Sequence, residues 1–590
     1  MKQAPSLAIN NIATHARMTG ATPQFDSIRT MINKPNTALS AITLALLTCA
    51  SAYGAAPVPD AGQITRELQK PADLSPPKAS APLRIEGQAV QPGNSNTDMR
   101  FAVKSIRVTG SKVFAAAELE TLVAELSGAE HSLVELDAGA ARISRYYRER
   151  GYVVARAYLP VQDIKDGVVV INVLEGALDQ QRLTNQSRLS EAQAKRYLAG
   201  IQPGDVIHAP TIDRALLLLG DTPGVGGTRA ALQPGASVGT TDLLVELDPA
   251  QAYSANLELD NYGNRYVGER RAGANVALNS PLGLGDLLSM RAITSGDLMS
   301  YGRLSYQLPV GASGLKVGAA YSDTRYKLGE EFASLQAHGT ANNTSVFASY
   351  PLLRSQNSNL TGTLSWEEKK LIDQIDAVAN SNTNKQVQLV TLGLAGNRQD
   401  ALWGGGTSAF DVSLASGNLT MDAAALAADM APASANSNGL FSKLTYALQR
   451  QQRVSEHYSL QLALSGQQAS KNLNSSEKFS LGGANGVRAY PQGEASGDQG
   501  MLVNLEVHRN LSEQVQASVF YDAGSADINH DPFAAGANTR FISGAGFGLN
   551  GQLGKLQFKT SVAWSTSGGD PVTDTSSHNP RWWLQLSLPL

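Results

Sequence analysis

Two short stretches of this chain carry residues that could form a specific ionic contact. Arg488 lies in the glycine-rich sequence LGGANGVRAYP at 481–491, and Asp522 lies in FYDAG at 520–524. An arginine and a carboxylate that meet away from bulk water form a charge-assisted contact, and the guanidinium fork allows two parallel hydrogen bonds. Taken alone, each residue is more simply read as a solvated surface charge. The pairing therefore depends on the elements that position the two side chains.

No other set of side chains has the spacing of a catalytic or metal site. The acidic residues Glu258, Asp260 and Glu506 have no partner constellation around them, which disfavours an enzyme. Cys49 is the only cysteine and lies in a segment that we expect to be removed, so we predict no disulfide and no cysteine-ligated metal. We expect no catalytic residues, no metal and no cofactor. The formal net charge of −3 excludes a strongly basic nucleic-acid binder.

Residues 250–590 alternate in polarity at every second position, as strands with two different faces do. In 501–508 the odd positions are apolar, while Asn504, Glu506 and His508 share the other face. The connections are short and long in turn, which is typical of an outer-membrane barrel with tight periplasmic turns and long external loops. Sixteen such strands can be counted, an even number, as a single-chain barrel requires. We therefore predict a membrane β-barrel of about 16 antiparallel strands with a wide lumen.

This pattern also places the two charged residues. In the predicted strand at 514–523, Val519 and Tyr521 point outward, which puts Asp522 in the lumen. Arg488 lies in the connection 468–498, which is long enough to fold inward. Other long external connections are expected at 325–342, 370–384 and 416–437, between strands that include 343–350, 357–369 and 404–415.

Residues 101–249 carry the same order of elements twice. In 101–176, a strand at 101–109 is followed by helices at 115–126 and 138–150 and by strands at 153–159 and 168–174. Residues 177–249 repeat this order with a strand near 180–183, helices at 190–199 and 209–218, and strands at 228–232 and 241–247. Two βααββ units are predicted, and their exposed sheet edges could bind an extended peptide by strand addition. Plain spacers are the alternative.

The region up to residue 56 has the pattern of a secretory signal, with Lys34 before an apolar stretch at 38–47 and small residues after it. Residues 1–30 are either a long first part of this signal or lie before the true start at Met31. Residues 57–100 hold a short amphipathic candidate helix at 60–69, with Asp60 as its N-cap, and a proline-rich linker. Composition alone favours a disordered tail for this region.

Together these features resemble the outer-membrane transporters of two-partner secretion (TpsB proteins), relatives of the haemolysin and filamentous-haemagglutinin transporters. That family belongs to the superfamily of the Bam barrel-assembly protein. The resemblance rests on VRAYP in the sixth external loop, FYDAG two strands later, the two βααββ units and the N-terminal helix. LPVQD at 159–163 and GDTPGV at 220–225 are similar to that family's first and second POTRA domains.

The resemblance implies roles for particular residues. It makes Arg488 the loop arginine of the VRGY-type motif and Asp522 its partner on the strand. The neighbouring motif residues are Val487, Ala489 and Tyr490 in the loop and Phe520 and Gly524 in the strand. Two departures are visible, since Ala489 stands where the family usually has glycine and the chain ends in Leu590 rather than phenylalanine. The helix at 60–69 is implied to plug the lumen at rest.

The implied function is a passive pore for an unfolded secreted exoprotein, whose N-terminal secretion domain binds the POTRA domains before the chain threads through the lumen. The implied location is the outer membrane of a Gram-negative cell, with the POTRA domains in the periplasm. Further implied partners are outer-membrane lipid and the barrel-assembly machinery, and nucleic acid is not among them. Two alternatives are an outer-membrane protein assembly factor and a solute-diffusion porin, although a porin needs no periplasmic docking units.

Overall fold

The computed structural model describes residues 58–69, 74, 83–85, 100–164, 166–378 and 381–590. The predicted signal segment and most of the proline-rich linker lie outside these residues. Within the described ranges, no helix combines the length and the apolar composition needed to cross a membrane. The described residues form a short helix, two α+β units and a closed barrel.

The short helix α1 (Ala61–Leu68) begins at the predicted N-cap. The Asp60 carboxylate accepts a hydrogen bond of 2.8 Å from the backbone N–H of Gln63, which satisfies one of the free donors of the first turn. Farther along the proline-rich region, the two residues of β1 (Arg84–Ile85) form a short strand.

The first α+β unit has a three-stranded sheet and a separate two-stranded ladder. Its elements are β2 (Arg100–Val103), β3 (Ser105–Thr109), α2 (Ala116–Thr121), a 3-10 turn (Ala124–Leu126), β4 (Ala129–Ser132), α3 (Leu133–Glu149), β5 (Arg156–Tyr158) and β6 (Val168–Leu174). The sheet has the order β3-β6-β5, and β2 pairs with β4.

Among the boundaries in this unit that differ from the predicted ones, two have a direct physical cause. Helix α3 begins at Leu133 rather than at 138, because Ser132 and Glu135 form a reciprocal capping box ahead of the periodic apolar positions. The strand predicted at 101–109 is interrupted at Lys104, because its two halves pair with different strands.

A buried carboxylate stabilises the core of the first unit. Glu175 accepts a hydrogen bond of 2.7 Å from the hydroxyl of Tyr147, a fully buried residue of α3. It also accepts hydrogen bonds of 2.8 Å from the backbone N–H groups of Lys112 and Val113. Burial and the hydrogen bond to Glu175 raise the pKa of the Tyr147 hydroxyl, which is the donor in this contact.

The second α+β unit has a four-stranded sheet of which one strand comes from the linker. Its own elements are β7 (Ala177–Asn185), α4 (Glu191–Leu198), α5 (Ala209–Gly220), β8 (Val225–Pro234) and β9 (Thr240–Pro249). The sheet order is β1-β8-β9-β7. Strand β1 runs parallel to β8, with Arg84 opposite Ala231 and Ile85 opposite Leu232.

A bidentate ion pair joins the second unit to the periplasmic end of the barrel. Asp221, just after α5, accepts hydrogen bonds from Nε of Arg354 at 2.6 Å and from its Nη2 at 2.9 Å. Arg214 of α5 donates a hydrogen bond of 2.9 Å to the backbone oxygen of Pro351. Both contacts involve the end of β15, at Pro351 and Arg354, so this end of the barrel anchors the second unit.

Sixteen antiparallel strands close the barrel, which confirms the predicted number. They are β10 (Tyr253–Asp260), β11 (Arg271–Asn279), β12 (Leu287–Thr294), β13 (Met299–Val310), β14 (Leu315–Lys327), β15 (Ala337–Arg354), β16 (Ser358–Ile375), β17 (Thr383–Asp400), β18 (Gly406–Met421), β19 (Gly439–Arg453), β20 (Tyr458–Ala469), β23 (Gln499–Asn510), β24 (Val515–Asp527), β25 (Thr539–Leu553), β26 (Leu556–Ser567) and β27 (Arg581–Pro589). Strand β27 pairs back onto β10 and closes the sheet. The external loops hold α6 (Ala423–Asp429) and the short strands β21 (Phe479–Ser480) and β22 (Ser496–Gly497).

Side chains alternate between the lipid face and the lumen along each strand, as predicted. On β23, Met501, Leu505 and Val507 point outward, whereas Asn504 and Glu506 point inward. Several strands extend beyond the predicted bounds, so the external connections expected at 325–342 and 370–384 shrink to 328–336 and 376–382. The additional strand residues lie outside the bilayer. Their backbones pair, but polar side chains predominate there, so no apolar alternation reveals these strand ends in the sequence.

Candidate functional site

The sixth external loop, L6 (470–498), folds into the barrel instead of standing above it. Leu481, Val487 and Tyr490 of L6 are almost fully buried. They pack on inward-facing residues of the barrel wall, among them Phe520 and Ile542. This apolar contact brings the polar residues of the loop tip against the wall as well.

At the loop tip, the structure brings the two charged motif residues together. The Arg488 guanidinium donates to Asp522 twice, from Nε to Oδ2 and from Nη2 to Oδ1, each at 2.8 Å. The backbone N–H of Arg488 also donates to Asp522 Oδ2, at 3.1 Å. The Asp522 side chain is completely buried and that of Arg488 is 7% exposed. We call this bidentate pair the loop lock.

The loop lock is surrounded by further residues that the sequence motifs did not identify. Glu506 accepts a second contact from Arg488 Nη2 at 2.8 Å, and the Asn504 amide donates to Asp522 Oδ1 at 2.8 Å. Glu506 therefore has a charged partner, contrary to the isolated lumen carboxylate expected from the sequence. Strand alternation places Asn504, Glu506 and Asp522 in the lumen, but it cannot show which inward residue meets the loop.

Two aromatic side chains contact the arginine, one at its guanidinium and one at its backbone. The guanidinium carbon of Arg488 lies 3.3 Å from the ring centroid of Phe520, which adds a cation–π contact. The Trp583 indole N–H donates a hydrogen bond of 2.7 Å to the backbone oxygen of Arg488. Trp583 belongs to β27, so the closing strand of the barrel also holds the loop tip.

The remaining motif residues hold L6 against the barrel wall by hydrogen bonds and by close packing. Tyr490 donates hydrogen bonds of 2.9 Å to the backbone oxygens of Ser567 and Gly569. At Gly524, a Cβ atom would lie 2.7 Å from Leu481 Cδ2, so glycine lets L6 pack onto the strand. Ala489 does not have the left-handed backbone that would require glycine. Its methyl group faces Gly544, where an added Cβ would lie 2.4 Å away.

Helix α1 lies in the lumen and contacts L6. Asp60 Oδ2 accepts a hydrogen bond of 2.7 Å from Ser475 Oγ, and Arg66 Nη1 donates to the Ser475 backbone oxygen at 2.9 Å. A Cβ at Gly62 would lie 2.3 Å from Ser475 Oγ, so this contact tolerates no side chain. On its other side, the helix packs Ile64 and Leu68 into an apolar cluster lined by barrel residues.

Buried charges hold the L6 turn that contacts α1. Glu477 is completely buried and lies 2.7 Å from Lys369 Nζ of β16 and 2.9 Å from Lys443 Nζ of β19. L6 is thus held at its root by β16 and β19 and at its tip by β24 and β27. Among the described residues, no cluster of three or more histidine, cysteine or acidic side chains is arranged to hold a metal ion.

Comparison with known families gives two matches. The family described as haemolysin secretion/activation protein ShlB/FhaC/HecB matches residues 239–551. The ShlB-type POTRA domain matches residues 101–176.

Individual proteins match over most of the chain. The heme/hemopexin transporter protein HuxB of Haemophilus influenzae (strain 86-028NP) is 29% identical over 547 residues, covering 90% of this chain and 94% of HuxB. The outer membrane transporter CdiB of Dickeya dadantii (strain 3937) is 23% identical over 418 residues, covering 69% of this chain and 72% of CdiB. The solved structure of CdiB from Escherichia coli has a TM-score of 0.70 at 20% identity and covers 94% of this chain and 98% of that one. The similarity in structure shows a shared fold.

Proposed function

This chain belongs to the ShlB/FhaC/HecB family of haemolysin secretion/activation proteins, and we propose that it binds an unfolded exoprotein through its POTRA domains and conducts it to the cell surface. The chain is an outer-membrane transporter of the two-partner secretion type.

The pairing of β1 with the edge of β8 is the main support for a docking site there. This edge already pairs with an extended segment of the chain itself, because β1 adds to it as a parallel strand. Leu83, next to β1, packs against the apolar core of the second unit. An exoprotein segment with alternating apolar residues would make the same backbone hydrogen bonds and fill the same apolar site.

Three other edge strands of the two units each have a backbone donor that is already bonded within its own domain. On β3, the N–H of Val108 donates to the Glu120 side chain at 3.0 Å. On β5, the N–H of Ala157 donates to Ser144 Oγ at 2.9 Å. On β7, the N–H of Leu178 donates to the backbone oxygen of Asp205 at 2.8 Å. The partner strand on β8 is instead the two-residue β1 of the linker, so we propose β8 as the edge at which a bound strand is exchanged.

Helix α1 and loop L6 both obstruct the lumen, and both could move without unfolding the barrel. Helix α1 is joined to the first POTRA domain by the linker, and L6 is a loop. We infer that α1 and L6 close the pore at rest and that cargo passes after they are displaced. The exoprotein then folds outside the cell.

A site-specific photo-crosslinker at Ala231, on the outer edge of β8, tests the docking site. At rest it should react with residues near β1, and during secretion it should react with the exoprotein. The matched control is a crosslinker at the exposed Thr184 of β7. Equal reaction of the cargo at both positions, or secretion without any reaction at Ala231, would count against docking at β8. An assembly factor would leave its clients in the membrane, whereas this chain should release its cargo outside.

A further inference from the structure

A second carboxylate of L6 is fully buried at the outer mouth of the barrel and does not belong to the loop lock. Glu494 accepts hydrogen bonds from the backbone N–H of Val572 at 3.1 Å and of Thr573 at 2.9 Å. It also accepts from Thr573 Oγ1 at 2.5 Å, and Arg540 Nη2 of β25 lies 2.9 Å from it. These donors use all the acceptor positions that a carboxylate offers.

Three of these donors belong to the eighth external loop, L8 (568–580). A second residue of L6 holds the start of the same loop, since Tyr490 donates to the backbone oxygens of Ser567 and Gly569. An added Cβ at Gly568 would lie 2.7 Å from the Tyr490 hydroxyl, so the two segments are in close contact. L8 therefore rests on L6 at two places.

Farther along, L8 reaches the first and third external loops. Thr575 Oγ1 accepts a hydrogen bond of 3.0 Å from Arg265 Nη1 and donates one of 2.5 Å to Glu331 Oε1. Arg265 also lies 3.7 Å from Asp574. L8 thus contacts L6 and also the first and third external loops, which lie beyond the β10–β27 pairing that closes the barrel.

We propose that Glu494 is a positioning residue that latches L8 to L6, so that the two loops open together as one lid over the outer mouth. A buried carboxylate separated from its donors is costly, and so are the backbone N–H groups left behind. If L8 moves together with L6 when L6 leaves the wall, the hydrogen bonds of Glu494 to L8 stay intact and this cost is avoided. The inference rests on the proposed function in one respect, namely that L6 moves during transport.

Spin labels on single introduced cysteines test the latch in the full-length protein without cargo. The only natural cysteine, Cys49, lies in the predicted signal segment. One label is placed at the exposed Ser577 of L8 and the other at the exposed Asn485 of the L6 tip. Glu494→Gln keeps the shape but turns an amide N–H₂ toward the donors of L8, and Thr573→Val removes one donor. Glu513→Gln, in an exposed periplasmic turn, is the matched control.

The latch predicts that Glu494→Gln shifts the Ser577 spectrum toward the narrow lines of a mobile label while the Asn485 spectrum stays as in Glu513→Gln. Thr573→Val should shift the Ser577 spectrum in the same direction by a smaller amount. In Asp522→Asn, which weakens the loop lock, both labels should become more mobile.

The proposal is overturned if the Ser577 label remains as immobile in Glu494→Gln as in the control, or if it remains immobile in Asp522→Asn. Heat-modifiable migration on a gel checks that each barrel has folded. Because no cargo is present, these results are independent of exoprotein docking at β8.

Discussion

The indole N–H of Trp583 donates a 2.7 Å hydrogen bond to the backbone oxygen of Arg488, the residue whose side chain binds Asp522 on β24. Trp583 lies in β27, which closes the barrel against β10. One loop residue is therefore held by two strands, through its side chain and through its main chain. Displacement of L6 must break both contacts.

Substitutions in the loop lock should impair secretion unequally. Arg488→Ala leaves the buried carboxylate of Asp522 and the partly buried carboxylate of Glu506 without this cation, whereas Asp522→Ala leaves Arg488 with Glu506 at 2.8 Å. Removing one partner of a buried pair costs roughly 3–5 kcal/mol. We expect Arg488→Ala to be the more severe of the two, and Arg488→Lys to be intermediate because it keeps the charge but loses the fork.

The double variant of Arg488 and Asp522 should secrete no less than the worse single variant, because both changes remove the same contact. Secreted exoprotein per folded barrel is the quantity to measure. Strictly additive defects would show that the two residues act separately.

Unseating α1 should open the pore without a deletion. A side chain at Gly62 would overlap Ser475 Oγ, so Gly62→Val should push the helix off L6. Single-channel conductance should rise markedly, as it should after removal of 58–69, while secretion is largely kept. Gln69→Ala, at the exposed end of the helix, is the control and should leave conductance unchanged. Unchanged conductance in Gly62→Val would show that α1 does not obstruct ion flow.

Breaking the contact between Asp221 and Arg354 should loosen the second α+β unit on the barrel. The pair is bidentate, and the Arg354 side chain is 4% exposed. Asp221→Ala leaves that guanidinium without its carboxylate, so we expect a wider distribution of distances between spin labels on α5 and on the barrel, and less secretion. The exposed pair Arg229–Asp248 offers a control, because such pairs contribute only about 0–1 kcal/mol. A distance distribution equal to that of Asp248→Ala would contradict this account.

The barrel could be predicted from sequence because lipid and water impose opposite requirements on alternate residues of each strand. The number of strands followed from this alternation, but their outer ends did not, since paired backbone above the bilayer needs no apolar residues. The predicted start of helix α3 is five residues too late because the capping box of Ser132 lies outside the apolar repeat of the helix.

The candidate site was only partly visible in the sequence. Motifs singled out Arg488 and Asp522, whereas Trp583, Asn504 and Glu494 lie in stretches without any distinctive spacing. Their partners are distant in sequence, at separations of 95 positions for Trp583 and Arg488 and of 78 positions for Val572 and Glu494. Only the closed barrel and the inward path of L6 bring these residues together.

The most direct test of the account is to locate a cargo during transit. An exoprotein that carries a stably folded domain should stall in the pore, where photo-crosslinkers at neighbouring positions of β20 can detect it. Gln461 faces the lumen beside Glu506, whereas Leu462 is exposed to lipid. We predict that the stalled chain reacts at Gln461 and not at Leu462. Reaction at Leu462, or at neither position while secretion of the unmodified exoprotein continues, would contradict passage through the barrel.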